Sequence, residues 1–379
     1  MSAPRLVMDL NKISYNTEIL VSRLQAKGIS VTGITKAFLG APQIAQTMLR
    51  AGVTSLGDSR IENIERMRAA GMIERMVLIR SPMLSQVDRV VASADMSLNT
   101  EMKVLSALSQ AAITAKKVHE VLLMVELGDL REGILSQDIK SIVEQVRGLP
   151  NIKFIGLGTN LACSNGVSPD DLNMNELSEI VAQVADASEA YPIMVSGGNS
   201  ANINWVFSGG QIGRINNLRL GEAILLGKET LHRADISGLH TDAISLIAEV
   251  IESKSKPSKP WGSVAQSAFN NVHELNDNGS INQAILAIGR QDIDPDGLQP
   301  PEGCKILNAS SDHLVIDAGA RTLPIGSQLT FQLNYSALLR AMTSPYITKK
   351  FVGSEARKPA HGYLIPSIQP KAIKHFVHL

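Results

Sequence analysis

Five short segments carry residue types that chemistry at the end of a strand would need. The first is Val31-Thr-Gly-Ile-Thr-Lys36, a lysine directly after an apolar run. An amine held on a rigid strand and desolvated there is a nucleophile towards an aldehyde; the bland alternative is a surface lysine. In Gly128-Asp-Leu-Arg131-Glu-Gly133, an arginine between glycines can clamp a carboxylate or phenolate oxygen, or pair with Asp129 or Glu132. Gly158-Thr159-Asn160 supplies small polar groups that can line a pocket. Ser196-Gly-Gly-Asn199-Ser200-Ala places glycines, an amide and a hydroxyl ahead of a helix start. That is either an anion cradle or an ordinary strand-to-helix turn capped by Ser200. Leu218-Arg219-Leu-Gly221-Glu222 puts a glycine where backbone amides can approach a phosphate, beside an arginine that faces a ligand or makes a structural ion pair.

The elements that position these groups follow from an alternation over residues 30–225. Short Val/Ile/Leu-rich runs at 31–35, 55–57, 76–79, 95–98, 121–126, 154–158, 193–196 and 218–221 read as eight strands. Stretches of helical periodicity at 42–51, 60–70, 100–112, 137–146 and 171–190, and a shorter one at 202–207, lie between most of them. Eight buried parallel strands with crossovers predict a (β/α)8 TIM-type barrel, with an open doubly wound sheet as the competing reading. In a barrel, functional groups gather at the C-terminal strand ends, and all five segments follow strands. From about residue 235 turn residues cluster, at SKSKPSKP (253–260) and DPDGLQPPEG (294–303). Short β-like runs at 244–251, 283–288, 313–316 and 328–333 predict a second, mostly antiparallel β domain. The expected division is a barrel over 11–233, and a second domain built from 1–10 plus 234–379.

Composition narrows the function. The 379 residues hold 36 Lys and Arg against 36 Asp and Glu, so there is no net electrostatic footprint for nucleic acid or an anionic membrane. Aromatics are 4%, too few for base-stacking platforms. Two cysteines, Cys163 and Cys304, make neither a disulfide framework nor a zinc cluster. Pro4, Arg5 and Asp9 interrupt the N-terminal apolar residues, so no signal peptide is expected, and no apolar run reaches the roughly 18 residues of a membrane span. The expectation is a soluble, cytoplasmic protein. There is no GxxxxGK(S/T) loop, no GxSxG elbow and no HExxH, and Gly156 and Gly158 lack the third glycine of a dinucleotide fingerprint. Asp312-His313 is too small a unit for a metal site, and no metal is expected.

Taken together, the chain resembles the alanine racemase-like, fold-type III pyridoxal phosphate enzymes, and within them the predicted amino-acid racemases that include ornithine racemase. The segments that carry the likeness span nearly the whole chain: PRLVMDLNKISYN, VTGITKAFLG, SLGDSRIEN, MVELGDLREGI, GGNSAN, NNLRLGEAILLG, AIGRQDID, SSDHLVID and NYSALLRAMTSPY. The resemblance implies pyridoxal 5'-phosphate as cofactor, joined to Lys36 as an aldimine, with Lys36 then moving the substrate Cα proton on one face. It implies Arg131 near the phenolic oxygen and the substrate carboxylate. Asn160 stands where relatives carry a histidine under the ring, so that stacking is absent. Asn199, Ser200 and the amides near Gly221 and Glu222 would hold the cofactor and its phosphate, as would Tyr346 of TSPYITKKF, and Arg219 would face the pyridine nitrogen.

Two consequences follow. A guanidinium has no proton to give the ring nitrogen, so Arg219 makes the ring a weaker electron sink and disfavours transamination. Racemisation also needs a proton group on the opposite face. In alanine racemases that is a partner-subunit tyrosine, and the matching position here is Arg290, a poor base. Asp292, His313 and Asp312 are the candidates instead, with a one-base swing by Lys36 as the alternative. The resemblance further implies a head-to-tail homodimer with shared sites, and a free amino acid such as ornithine or lysine as substrate. A decarboxylase, a D-amino-acid aldolase and a non-catalytic cofactor carrier are the competing functions.

Overall fold

The computed structural model describes residues 2–185, 193–266, 268–269 and 277–353. The chain opens with β1 (Arg5–Asp9) and a helix over Leu10–Gln25. Asp9 caps that helix, its carboxylate accepting from the amides of Asn11 and Lys12. Eight parallel strands then close into a barrel in chain order: β2 (Ser30–Ile34), β3 (Ser55–Asp58), β4 (Met76–Leu78), β5 (Met96–Asn99), β6 (His119–Met124), β7 (Ile152–Gly158), β8 (Met194–Ser196) and β9 (Asn217–Leu220). The pairing of β9 with β2, Ser30–Gly33 against Asn217–Leu220, closes the ring and excludes the open sheet.

Burial explains why the strands read as continuous apolar runs. β3, β4, β5 and β9 are buried at every position, because helices cover one face and the barrel interior the other. Val31, Leu56, Leu218 and Leu220 join the large core beneath the helices. The alternate residues point inward, and the interior they fill has two halves. Val77, Met96, Leu98, Leu122 and Met124 form an apolar half. On the β2, β3, β8 and β9 side the interior is polar. Thr32 bonds Ser55 at 2.9 Å, Asn217 donates to Thr32 at 3.1 Å, and Ser196 donates to Asn217 at 2.7 Å. That polar half leads up to the strand ends that carry Lys36 and Arg219. The helix expected over 171–190 is seen as Asp171–Val184, started by a capping box between Asp170 and Asn173; residues 186–192 lie outside the described ones.

The second domain is one sheet of β10 (Ile244–Pro257), β11 (Ser280–Leu286), β12 (Leu298–Gln299), β13 (Lys305–Ala309), β14 (Leu314–Asp317), β15 (Gln328–Leu333) and β16 (Thr348–Val352), together with β1. It is antiparallel except where β1 pairs with β16, which runs alongside it. The β12, β13 and β16 strands and a helix over Tyr335–Thr343 were not legible in the sequence pattern. Residues 354–379, assigned to this domain from the sequence, lie outside the described ones. No helix among the described residues is long and apolar enough to cross a membrane.

Candidate active site

Lys36 emerges where β2 runs out. Thr35, fully buried, ends the strand by donating its amide to Gly57 O at 2.8 Å. A single 3-10 turn, Lys36–Phe38, follows, and Leu39 and Gly40 reverse the chain with φ of 55° and 63°. Gly40 is required there, because a Cβ would lie 2.8 Å from the Asn63 carbonyl oxygen. The turn leaves Lys36 half-buried, its Nζ 5.7 Å from the centroid of the Tyr335 ring, within cation–π range. Tyr335 belongs to the second domain, and so the two domains meet over the lysine.

Burial pushes the Tyr335 phenol above its ordinary range, with the charges of Glu222, Cys163 and Asp58 adding to the effect. It therefore stays protonated and able to donate, yet its hydroxyl is buried without a partner. The Asn160 side-chain amide, also buried, is likewise unpaired at Nδ2. Unmatched buried donors are costly unless a ligand completes them.

Arg219 lies at the end of β9 and is 6% exposed. It donates to Ser196 Oγ at 2.5 Å, Thr159 O at 2.7 Å and Asn160 Oδ1 at 3.3 Å. Burial lowers its pKa to about 10, so it remains a cation at neutral pH. Asn160 Oδ1 also accepts from Asn199 Nδ2, which in turn reaches Leu161 O at 2.9 Å and Cys163 Sγ at 3.4 Å. Ser200 is buried, and its Oγ accepts the Ala223 amide at 3.2 Å, joining the loop after β8 to the one after β9. The Ser200 O–H remains free to donate. Glu222, beside Gly221, is 8% exposed and paired with Arg233; burial raises its pKa, and the charges of Arg233 and Lys36 oppose this.

Arg131 sits on the loop after β6, held through Nε and Nη2 by the Glu132 carboxylate. Asp129 fixes this loop. It is 1% exposed and accepts amides from Cys163, Ser164 and Asn165, pinning the loop after β7 to it. Lys36, Arg131, Asn160, Asn199, Ser200, Arg219, Gly221 and Glu222 thus all lie at one end of the barrel.

The second-domain candidates are placed differently. Asp292 is 4% exposed and accepts from Ser344 Oγ at 2.7 Å. His313 lies on an exposed turn against Asp312 at 3.0 Å. The hydrogen bonds of both stay within the second domain, and neither joins Lys36 of its own chain. Tyr346 is not brought to Lys36: it is 69% exposed, in the loop ahead of β16. The tyrosine against the lysine is Tyr335, at the start of a helix that Asn334 caps by accepting the Ala337 amide at 2.9 Å. Both tyrosines lie in one quoted segment, and only the helix start separates them. Sequence reasoning also passed over Asp58, which is fully buried at the end of β3. Arg290 stacks 5.4 Å over Phe269 and donates to Ala309 O. No cluster of His, Cys, Asp and Glu among the described residues could hold a metal ion.

The donors fit pyridoxal 5'-phosphate. An amine for its carbonyl, a buried guanidinium, two donors without partners and a hydroxyl able to donate lie at the same end of the barrel. A two-domain protein with a lysine at the end of the first barrel strand is the class that this fold and site define. The family described as alanine racemase, N-terminal domain, matches residues 8–228, and the chain belongs to it. It is 36% identical over 353 residues to a protein named ornithine racemase from Acetoanaerobium sticklandii, covering 92% of this chain and 99% of that one. It is 35% identical over 355 residues to a protein named lysine racemase from Thermotoga maritima, covering 93% and 99%. Among solved structures, the alanine racemase of Streptomyces lavendulae superposes with a TM-score of 0.75 at 16% identity, covering 93% of this chain and 98% of that one.

Proposed function

We propose that this protein is a pyridoxal phosphate-dependent amino-acid racemase acting on a basic amino acid of the ornithine or lysine class. The observation that carries the reading is the Lys36 amine 5.7 Å from the Tyr335 ring at the barrel end, where the Tyr335 hydroxyl and Asn160 Nδ2 are buried without partners. Full-length identity to proteins named for ornithine and lysine supports the substrate class. When bound, pyridoxal phosphate supplies a carbonyl for amines and a ring that takes up the electron pair left by a departing Cα proton.

The chain's own residues do the rest. Lys36 Nζ would hold the cofactor and could then move a proton at Cα. Tyr335 Oη and Ser200 Oγ would be the donors available to its phosphate. Arg219, a cation without a transferable proton, would leave the ring nitrogen unprotonated and the electron sink modest. Arg131 offers its remaining N–H groups to the substrate carboxylate. The second proton group comes from the second domain of another copy in a cytoplasmic homodimer, with Asp292 and His313 as its candidates. Arg290 is a poor base and cannot take that role. The second domain leaves a cavity of about 680 Å3 lined in part by Phe269, Arg290, Ser336 and Leu339, which suits such a contact.

Proton NMR in heavy water with chiral analysis tests the reading. L-Ornithine or L-lysine should lose the α-proton signal and yield the D-isomer. Carbon dioxide release without inversion would make the protein a decarboxylase. Cofactor bound with no exchange across a broad panel would make it a carrier.

A further inference from the structure

Asp58 is a buried carboxylate without an ion pair among the described residues, at a place where an uncharged residue would be less costly to bury. Its two oxygens do separate work. Oδ1 accepts the Arg60 amide at 2.9 Å and Asn63 Nδ2 at 3.0 Å, which starts the helix over Ile61–Ala69. That part is ordinary local architecture, and an asparagine could supply the same acceptor. Oδ2 leaves its own strand and accepts Thr35 Oγ1 at 2.5 Å. Thr35 is itself fully buried and directly precedes Lys36.

The far side of the turn that carries the lysine is held by Phe38, fully buried in the core, and by the Arg66 guanidinium, which donates to Leu39 O. Its near side closes on Thr35, whose carbonyl accepts the Phe38 and Gly40 amides and whose amide donates to Gly57 O at 2.8 Å. The Thr35 hydroxyl also lies 3.3 Å from Gly57 O, so Asp58 Oδ2 is the nearer of its two acceptors. The orientation of Thr35 therefore sets how the turn begins. Asn63, bonded to the same carboxylate, is also the residue against which Gly40 packs. One carboxylate therefore bonds the residue at the entrance of the lysine turn and the residue packed against its exit.

We propose that Asp58 and Thr35 are positioning residues for the active-site lysine: the Thr35 hydroxyl on the Asp58 carboxylate sets the direction from which the Lys36 amine meets the Tyr335 ring and its ligand. The catalytic consequence rests on the function proposed above; the positioning itself does not. Burial raises the Asp58 pKa, and the hydrogen bonds from Thr35, Arg60 and Asn63 oppose this; in its charged form the acceptor makes this hydrogen bond shorter and roughly twice as strong as a neutral one.

The test uses the full-length protein as wild type, Thr35→Val, Thr35→Ser and Asp58→Asn, each checked for an unaltered circular dichroism spectrum. Thr35→Val preserves shape and leaves the Oδ1 bonds intact, and Asp58→Asn keeps a local acceptor but removes the charge. Two labelling reactions are mapped by mass spectrometry, with the remaining lysines as internal standards. Reductive methylation by formaldehyde reads the freedom of the amine without any cofactor. Attachment of pyridoxal 5'-phosphate followed by borohydride reads its productive aim. In Thr35→Val and Asp58→Asn, methylation at Lys36 should rise roughly threefold and cofactor attachment should fall roughly tenfold. Racemase kcat should fall by a similar factor with KM within about twofold, and Thr35→Ser should restore wild-type behaviour. Unchanged Lys36 methylation in both variants would overturn the positioning role. A wild-type protein that takes no cofactor at Lys36, while the variants still change its methylation, would instead overturn the proposed function and leave the positioning intact.

Discussion

The barrel mouth and the second domain both carry residues that could act on a substrate, and the chain organises them by different means. At the mouth, eight strand ends converge, so residues scattered from Lys36 to Glu222 share one opening. Their hydrogen bonds run from loop to loop: Arg219 to Thr159 and Asn160, Asn199 to Asn160, and Ser200 to the Ala223 amide. In the second domain, Asp292 is tied to Ser344 and His313 to Asp312, each pair within the loops of that domain. Tyr335 crosses to the lysine. Closure of a barrel brings strand ends together whatever the loops say, whereas a sheet face needs a partner before its residues meet a substrate.

Substitutions can break or sharpen that contrast. The largest effect belongs to Lys36→Ala, which removes the amine placed against Tyr335. D-isomer formation should fall below detection by chiral chromatography, with the fold retained. Next comes the pair Tyr335→Phe and Tyr346→Phe. Loss of a buried phenol that donates to a phosphate should weaken cofactor retention by roughly tenfold or more, as expected for a hydrogen bond to a charged group. The exposed phenol should change it by less than about twofold, measured by equilibrium dialysis. Equal effects from the two would place Tyr346 in the site beside Tyr335.

A stability measurement at the far end of the barrel provides a control. His119 begins β6, is 1% exposed and bonds Ser97 Oγ at 2.9 Å. Burial lowers its pKa from 6.5 to about 4. The folded state thus binds fewer protons than the unfolded state between those values. The contribution is absent above pH 6.5, and stability falls as the pH drops towards 4, by up to about 3 kcal/mol. His119→Asn should flatten that acid limb in urea titrations while leaving cofactor retention at pH 7 unchanged. The smallest effect is expected from His313→Ala in the isolated chain. As a surface change it should shift stability by about 0.5 kcal/mol or less, and any larger loss of racemisation would then mark His313 as acting on another copy's substrate.

The same contrast explains what could be read in advance. The barrel was legible because fully buried strands leave apolar runs and each must be followed by a crossover. Once strand ends were located, Lys36, Arg131, Asn160, Ser200 and Arg219 could be proposed as neighbours without knowing any distance. The second sheet offered no such rule. The β12, β13 and β16 strands are short or half-exposed, and the helix start at Tyr335 depends on Asn334, a cap that also suits a turn. Asp58 escaped for another reason. In SLGDSRIEN it looks like the opening of a helix, which one of its oxygens serves. That the other oxygen grips the residue before Lys36 depends on β2 and β3 being adjacent in register, and a linear pattern does not contain that register.

The central claim is that the barrel mouth is a cofactor site built on Lys36. The most direct measurement is borohydride reduction of the full-length protein saturated with pyridoxal 5'-phosphate, followed by peptide mapping. One phosphopyridoxyl group per chain, on the peptide that carries Lys36, is the predicted result. Label spread over surface lysines, or none retained, would contradict it.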